Sequence, residues 1–163
     1  MRRSVPIVVI AVAAVAACHR TDGSVAADVQ AYLGRAQAWA AVEGETARTI
    51  DRILRTQFVD EAEVRRQIAD ARPRIAAHLE SVHGYSPRTP ELERIHAKYI
   101  AAWEELQAGF AAIENGFDSG DYTLLARGRE AMARWKETVL EVARDLRRLA
   151  DEHDVDTSPA VRS

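Results

Sequence analysis

The stretch LARGREAMARWKETVLEVARDLRRL, residues 125–149, has the most regular pattern in the chain. Its apolar and small residues recur at steps of three and four, the period of a helix that buries one face. These steps repeat as heptads, which favours near-antiparallel, left-handed packing against neighbouring helices. The stripe consists of Leu125, Gly128, Met132, Trp135, Val139, Val142, Leu146 and Leu149. We therefore predict a long amphipathic helix that packs in a bundle.

Two helices are predicted in the first half of the chain, where the same steps recur and alternation with period two is absent. The first extends from near Ser24 to near Phe58. The second opens at residues 60–63, Asp-Glu-Ala-Glu, which form a capping-box pattern, and it ends at Gly84. Pro73 lies inside the second helix. It predicts a kink, because proline removes a backbone donor and clashes with the preceding turn.

A third helix is predicted to begin at Thr89 and Pro90, since a capping residue followed by proline is a common helix start. The apolar residues of the third helix extend to Phe117, and the fourth helix is predicted to begin beyond the segment 115–121, Asn-Gly-Phe-Asp-Ser-Gly-Asp. Small residues on one seam of the third helix allow a partner backbone to approach closely: Ala102, Gly109 and Gly116. The predicted fold is all-α, an antiparallel four-helix bundle with up-down-up-down order.

The N-terminal segment has the features of a secretory signal peptide. Arg2 and Arg3 are followed by an apolar run from Val5 to Ala17, which ends in small residues. An uncleaved membrane anchor is the alternative. The run is shorter than the ~20 residues that a spanning helix needs, so we favour a targeting signal.

This segment ends in Val15, Ala16, Ala17 and Cys18, and it resembles the lipobox of bacterial lipoproteins, at the end of a type II signal peptide. The resemblance implies that a dedicated peptidase recognises Val15, Ala16 and Ala17 and cuts before Cys18. It also implies that the Cys18 thiol carries a diacylglyceryl group and that the freed amine is often acylated. An ordinary signal peptide would leave a lone thiol, which is a liability in an oxidising compartment. We therefore expect a membrane anchor made of lipid, with Cys18 as the attachment site.

The residue after the cysteine, His19, bears on location. In cells with two membranes, lipoproteins similar to this one are commonly kept in the inner membrane by an aspartate at that position. The resemblance thus implies a lipid-anchored protein of the cell membrane. In a two-membrane cell it implies the outer membrane, with the bundle facing the periplasm.

The sequence predicts four segments: a signal peptide at 1–17, a lipidated cysteine with a polar tether at 18–24, the helical bundle at 25–153 and a disordered polar tail at 154–163. Removing the signal peptide reduces the 22 basic residues to 20, against 25 acidic ones, and gives a net charge of −5. This balance argues against a nucleic-acid partner, because such proteins usually carry a basic patch or a high pI.

Two Glu-x-x-His steps flank one connector, Glu80 with His83 and Glu93 with His96. Di-metal bundles that resemble ferritin use such steps, with further carboxylates from two other helices. Here both glutamates lie off the apolar stripes, whereas metal ligands in a bundle must point inward. We therefore favour solvated helix surface for these residues and predict no metal site and no cofactor.

The sequence offers no signature of catalysis. It has neither a Gly-x-x-x-x-Gly-Lys phosphate loop nor a Gly-x-Ser-x-Gly elbow, and we assign no catalytic residue. The aromatic residues at helical spacing are predicted to form the core: Tyr32, Trp39, Tyr99, Trp103, Phe110 and Trp135.

These features favour a non-enzymatic lipoprotein of the cell envelope that binds a protein partner or takes part in assembly. One alternative is a metal- or small-ligand-binding helical bundle, with Glu80, His83, Glu93 and His96 as its ligands. Another is a periplasmic helical chaperone, which would need exposed apolar surface.

Overall fold

A computed structural model describes residues 22–56, 58 and 60–157. Four helices make up this part of the chain, which contains no strand: α1 (Asp22–Thr56), α2 (Glu61–His83), α3 (Pro90–Ser119) and α4 (Tyr122–Glu152). Helices that follow each other in the chain pack together, and α1 also contacts α4, so the four helices form a closed ring. The predicted all-α four-helix bundle is confirmed.

Part of the predicted organisation lies outside the described residues. This holds for the signal peptide, for the lipobox residues Val15, Ala16, Ala17 and Cys18, for His19 and for residues 158–163. In the described part of the chain, no helix combines the length and the apolar character needed to cross a bilayer.

The ends of α2 and α4 follow local capping rules. The Asp60 carboxylate accepts a hydrogen bond from the Glu63 N–H at 3.0 Å, as the capping-box pattern predicts. The Asp121 carboxylate accepts from the Thr123 N–H at 2.8 Å. At α3, Thr89 occupies the N-cap position as predicted, but its side chain makes no capping hydrogen bond.

A carboxylate from another helix instead holds the two residues that precede α3. Asp28 on α1 is only 3% exposed, and its Oδ2 atom accepts from the backbone N–H groups of Arg88 and Thr89 at 2.7 and 2.9 Å. The Thr89 hydroxyl donates to the same oxygen at 2.9 Å. A buried carboxylate needs such partners, because leaving it without hydrogen bonds is costly. Asp28 therefore fixes α1 to the α2–α3 connector.

Helices α3 and α4 make the closest contact in the bundle. A methyl group at Gly128 would lie 2.7 Å from the Gly109 carbonyl oxygen, and one at Gly109 would lie 2.5 Å from the Ala131 Cβ atom. Both distances are too short for real side chains, so glycine is required at this crossing. The predicted close approach at the Gly109 seam is confirmed.

Two helix boundaries differ from the prediction. Helix α3 continues to Ser119, two residues beyond the predicted Phe117, so the connector consists of Gly120 and Asp121. Gly120 takes a left-handed conformation with φ of 68°, which reverses the chain in two residues. At the other end of the molecule, α1 already begins at Asp22, inside the predicted tether at 18–24.

The described start of the predicted disordered tail lies against the bundle. Asp154 has a φ of 55°, and the Val155 N–H donates to the Ala150 carbonyl at 2.9 Å. This is a Schellman motif, in which a left-handed residue turns the chain back over the helix end. Val155 then packs partly buried against the core. This helix cap places Asp154 and Val155 against the end of α4, and the disorder predicted for residues 154–163 stays a prediction.

The core contains the aromatic residues that the sequence predicts. Each of these six is at most 5% exposed: Tyr32, Trp39, Tyr99, Trp103, Phe110 and Trp135. Trp103 and Trp135 meet edge to face between α3 and α4, with their ring centroids 4.9 Å apart. The prediction that these residues form the core is confirmed.

Candidate functional site

The four residues of the two Glu-x-x-His steps have separate environments. Glu80, His83 and Glu93 are exposed, as predicted, and His83 Nε2 lies 3.2 Å from Glu104 Oε1. His96 is different, since it is buried and its Nδ1 atom hydrogen-bonds with the Tyr32 hydroxyl at 3.2 Å. No three His, Cys, Asp or Glu side chains of the described residues form a group that could hold a metal ion. The prediction of solvated surface is wrong for His96. This residue lies on the same buried face of α3 as Leu92 and Tyr99.

A cleft of about 520 Å³ opens between α1 and α4. On this side of the ring α1 presents short residues, including Gly34, Ala36 and Ala40, and α4 presents Ala143. Small side chains leave space between the two helices that larger ones would fill. Asp156 and Thr157, which follow the Schellman turn, close one end of the cleft.

A half-buried carboxylate, Glu43, lies in this cleft. The Tyr99 hydroxyl donates to Glu43 Oε1 at 2.6 Å, and the same hydroxyl is 2.9 Å from His78 Nε2. Because the Tyr99 hydroxyl has one proton and gives it to Glu43, His78 Nε2 donates to the tyrosine oxygen. A hydrogen-bond chain thus runs from α2 through α3 to the carboxylate on α1.

Burial determines which groups of this hydrogen-bond chain carry a proton. It raises the pKa of Glu43, and the hydrogen bond from Tyr99 acts in the opposite direction by favouring the charged form. Burial also lowers the pKa of His78 to about 4, so this histidine is neutral at pH 7. The pKa of Tyr99 is raised, first by burial and then by the nearby Glu43 charge, so the hydroxyl keeps its proton.

His96 belongs to the same buried aromatic layer. Trp39 stacks on both His96 and Tyr99, with ring centroids 6.1 and 5.7 Å apart. Burial lowers the pKa of His96, although the backbone carbonyls of Val82 and Tyr85 favour its charged form. His96 Nε2 is buried and makes no hydrogen bond of ordinary geometry. This second histidine therefore also lies neutral behind the wall of the cleft.

The sequence points to the components of this site only in part. Glu43 lies next to the apolar stripe of α1, and its step of four from Trp39 is the signal that it faces inward. His78 follows Ala71 and Ile75 at helical spacing on one face of α2, which is the signal of its burial, and it is 4% exposed. The contribution of Asp156 and Thr157 has no local signal, because it depends on the turn after α4.

The arrangement is suited to binding. The cleft has largely apolar walls, the Glu43 carboxylate in it is oriented from behind by Tyr99, and its described lining contains no cysteine, serine or histidine. Comparisons of the chain with models of protein families, with characterised proteins and with solved structures gave no match.

Proposed function

We propose that this chain is a lipid-anchored protein of the cell envelope that binds an organic molecule in the cleft between α1 and α4, without catalysing a reaction. The observation that carries the proposal is the cleft itself, with Glu43 half-buried among apolar side chains. Pockets for small ligands commonly combine apolar walls with a few oriented polar groups. The lipobox at Cys18 supports the anchor.

The short distance between Cys18 and α1 limits where the cleft lies. Asp22 is four residues beyond Cys18, a reach of at most about 14 Å of extended chain. The α1 wall of the cleft begins at Gln30, about 12 Å further along the helix. In an anchored protein the cleft therefore lies close to the bilayer surface.

The other functions that the sequence left open gain less support. A metal-binding bundle lacks a ligand group in the described residues, as shown above. A chaperone would need extended exposed apolar surface. The large apolar side chains that are exposed in the described chain are Tyr122 and Leu140, at 83% and 63%.

Leu140 favours a second candidate function, the docking of a protein partner. It lies beside Ala143 on the outer face of α4, in a shallow hollow that also includes Arg144 and Arg147. A photo-crosslinking residue at position 140 in intact membranes would capture a specific partner if this face docks one. A position on the exposed face of α2, such as Ala76, serves as the control.

The cleft function is tested by filling the cleft. Ala40→Phe places a ring in it, whereas Ala41→Phe adds the same ring at an exposed neighbouring position that does not line it. The measurement is ligand-detected NMR with a library of small organic molecules. We expect some of these molecules to bind both the wild type and Ala41→Phe, and we expect the same molecules not to bind Ala40→Phe. Equal binding to both variants, or no binder of the wild type, would overturn the proposal.

A further inference from the structure

We infer that the ligand of the α1–α4 cleft is a small amphiphilic cation, with an apolar body along the helix walls and one protonated amine against Glu43. This inference rests on the proposed function and names the class of ligand. Three properties of the cleft support it: the sign of its charge, its largely apolar lining and the second oxygen atom of the Glu43 carboxylate.

The charge of the lining favours a cation. The ionisable side chains that line the cleft are the carboxyl groups of Glu43 and Asp156 and the phenols of Tyr32 and Tyr99, and the lining contains no lysine, arginine or histidine. Glu43 also lines an adjoining hollow, whose lining includes Lys136. The Lys136 amine lies 2.6 Å from Asp51 Oδ1 and is thus paired with that carboxylate. An anionic ligand would find no positive partner in the cleft lining.

The walls match an apolar body that ends in an amine. Trp39, Tyr32 and Tyr99 supply the edges of largely buried aromatic side chains to the lining near Glu43, each at most 5% exposed, and so make the surroundings of the carboxylate apolar. Beyond them the cleft is lined by aliphatic side chains of both helices, including Leu33, Val142 and Leu146. This combination binds an organic amine better than a hydrated metal ion, which would lose its water among apolar groups.

The Glu43 carboxylate is oriented so that it can accept a hydrogen bond from a ligand. Its Oε1 atom accepts from Tyr99, which is itself held by His78, so the carboxylate is fixed in direction. No hydrogen bond to its Oε2 atom is present in the described part of the chain. Because half-buried carboxylates are poorly hydrated, a charged donor at this oxygen gains more here than at the surface.

The test compares three ligands with a phenyl ring and nine carbon atoms each but different head groups: 3-phenylpropylamine, 3-phenylpropanol and 3-phenylpropionate. The full anchored chain is placed in phosphatidylcholine nanodiscs, and empty nanodiscs correct for partition into lipid. Binding is measured by calorimetry at pH 7. We expect the amine to bind about tenfold or more tightly than the alcohol, since hydrogen bonds to charged groups are among the stronger ones, and the propionate to bind more weakly than the alcohol.

Replacing the Glu43 carboxylate tests whether this group causes the preference for the amine. Glu43→Gln keeps the shape and removes the charge, and we expect it to lose about tenfold in amine affinity with alcohol affinity nearly unchanged. Glu45→Gln is the matched control, because Glu45 is exposed on the same helix and faces Arg74 outside the cleft. We expect this control to bind all three ligands as the wild type does.

The outcomes separate the two proposals. Equal binding of the three ligands, lost in Ala40→Phe, would overturn the inference about charge and leave the cleft function standing. An amine preference that survives in Glu43→Gln would also overturn it. If none of the three ligands binds, the inference is wrong, and the library screen with Ala40→Phe then decides on the cleft function separately.

Discussion

His78 lies between Tyr99 and Trp103, and its ring centroid is 4.1 Å from that of Trp103. Its pKa is lowered to about 4, whereas an unfolded chain holds a histidine near the ordinary 6.5. Between these values the unfolded state binds a proton that the folded state does not, so the free energy of unfolding falls as the pH is lowered. The lowered pKa of His96 acts in the same direction, and the raised pKa of Glu43 acts in the opposite one.

Replacing His78 isolates its share of this pH dependence. We expect the wild type to lose more stability than His78→Gln on going from pH 6.5 to about 4, by up to about 1.4 kcal/mol per pH unit. Glutamine keeps an amide donor for Tyr99 and does not titrate. The free energy of unfolding in urea, measured at a series of pH values, gives the two slopes.

Ala77→Gln is the control for this experiment, because it adds the same side chain at the exposed neighbouring position and leaves His78 in place. We expect its pH profile to run parallel to that of the wild type. If the profile of His78→Gln ran parallel as well, the folded protein would bind the His78 proton as easily as the unfolded chain, and the neutral buried histidine would have to be given up.

At the level of elements, the start of α3 depends on a residue that is 60 positions away in the chain. Asp28 Oδ2 accepts from the Arg88 and Thr89 N–H groups and from the Thr89 hydroxyl. Negative charge at a helix N-terminus is also favourable because of the helix dipole. One carboxylate thus joins α1, the connector and α3.

Removing this carboxylate leaves buried donors without a partner. We expect Asp28→Ala to lower the free energy of unfolding by about 2 to 3 kcal/mol, since the Thr89 N–H and hydroxyl would be left buried without an acceptor. Asp121→Ala, which removes the local and exposed cap of α4, should cost about 1 kcal/mol. Urea unfolding of both variants measures the difference, and equal losses would mean that Asp28 acts as an ordinary surface cap.

The elements themselves could be predicted from the sequence because their signals are local. The stripe from Leu125 to Leu149 and the capping pattern at Asp60 define helices without reference to the rest of the chain. Contacts between distant residues carry no such signal. Asp28 is one charged residue among many on α1, and its burial follows only from where the α2–α3 connector passes. The same holds for the cleft, where the position of Glu43 depends on Tyr99 and His78 from two other helices.

For the whole molecule, the lipid anchor is the main untested prediction. We expect Cys18→Ser to abolish the incorporation of labelled palmitate and to leave the signal peptide uncleaved by the lipoprotein peptidase. The helical content measured by circular dichroism should stay the same, because position 18 precedes α1. His19→Ser should retain the label, since His19 is not the acceptor. Wild-type protein without labelled palmitate would contradict the anchor and leave an ordinary secreted bundle.

The four pairs of neighbouring helices in the ring pack with unequal closeness. Gly109 and Gly128 bring α3 and α4 into backbone contact, whereas α1 and α4 are separated by the cleft over much of their length. Contacts between sequence neighbours also form faster than those between the two ends of a chain. We therefore expect the α3–α4 hairpin to form early in folding and the α1–α4 side to close last. In native-state hydrogen exchange, the amides in the middle of α1 should then exchange at a lower free energy of opening than those of α3. Such a local opening would let a molecule enter the cleft while the tryptophans of α3 and α4 stay packed.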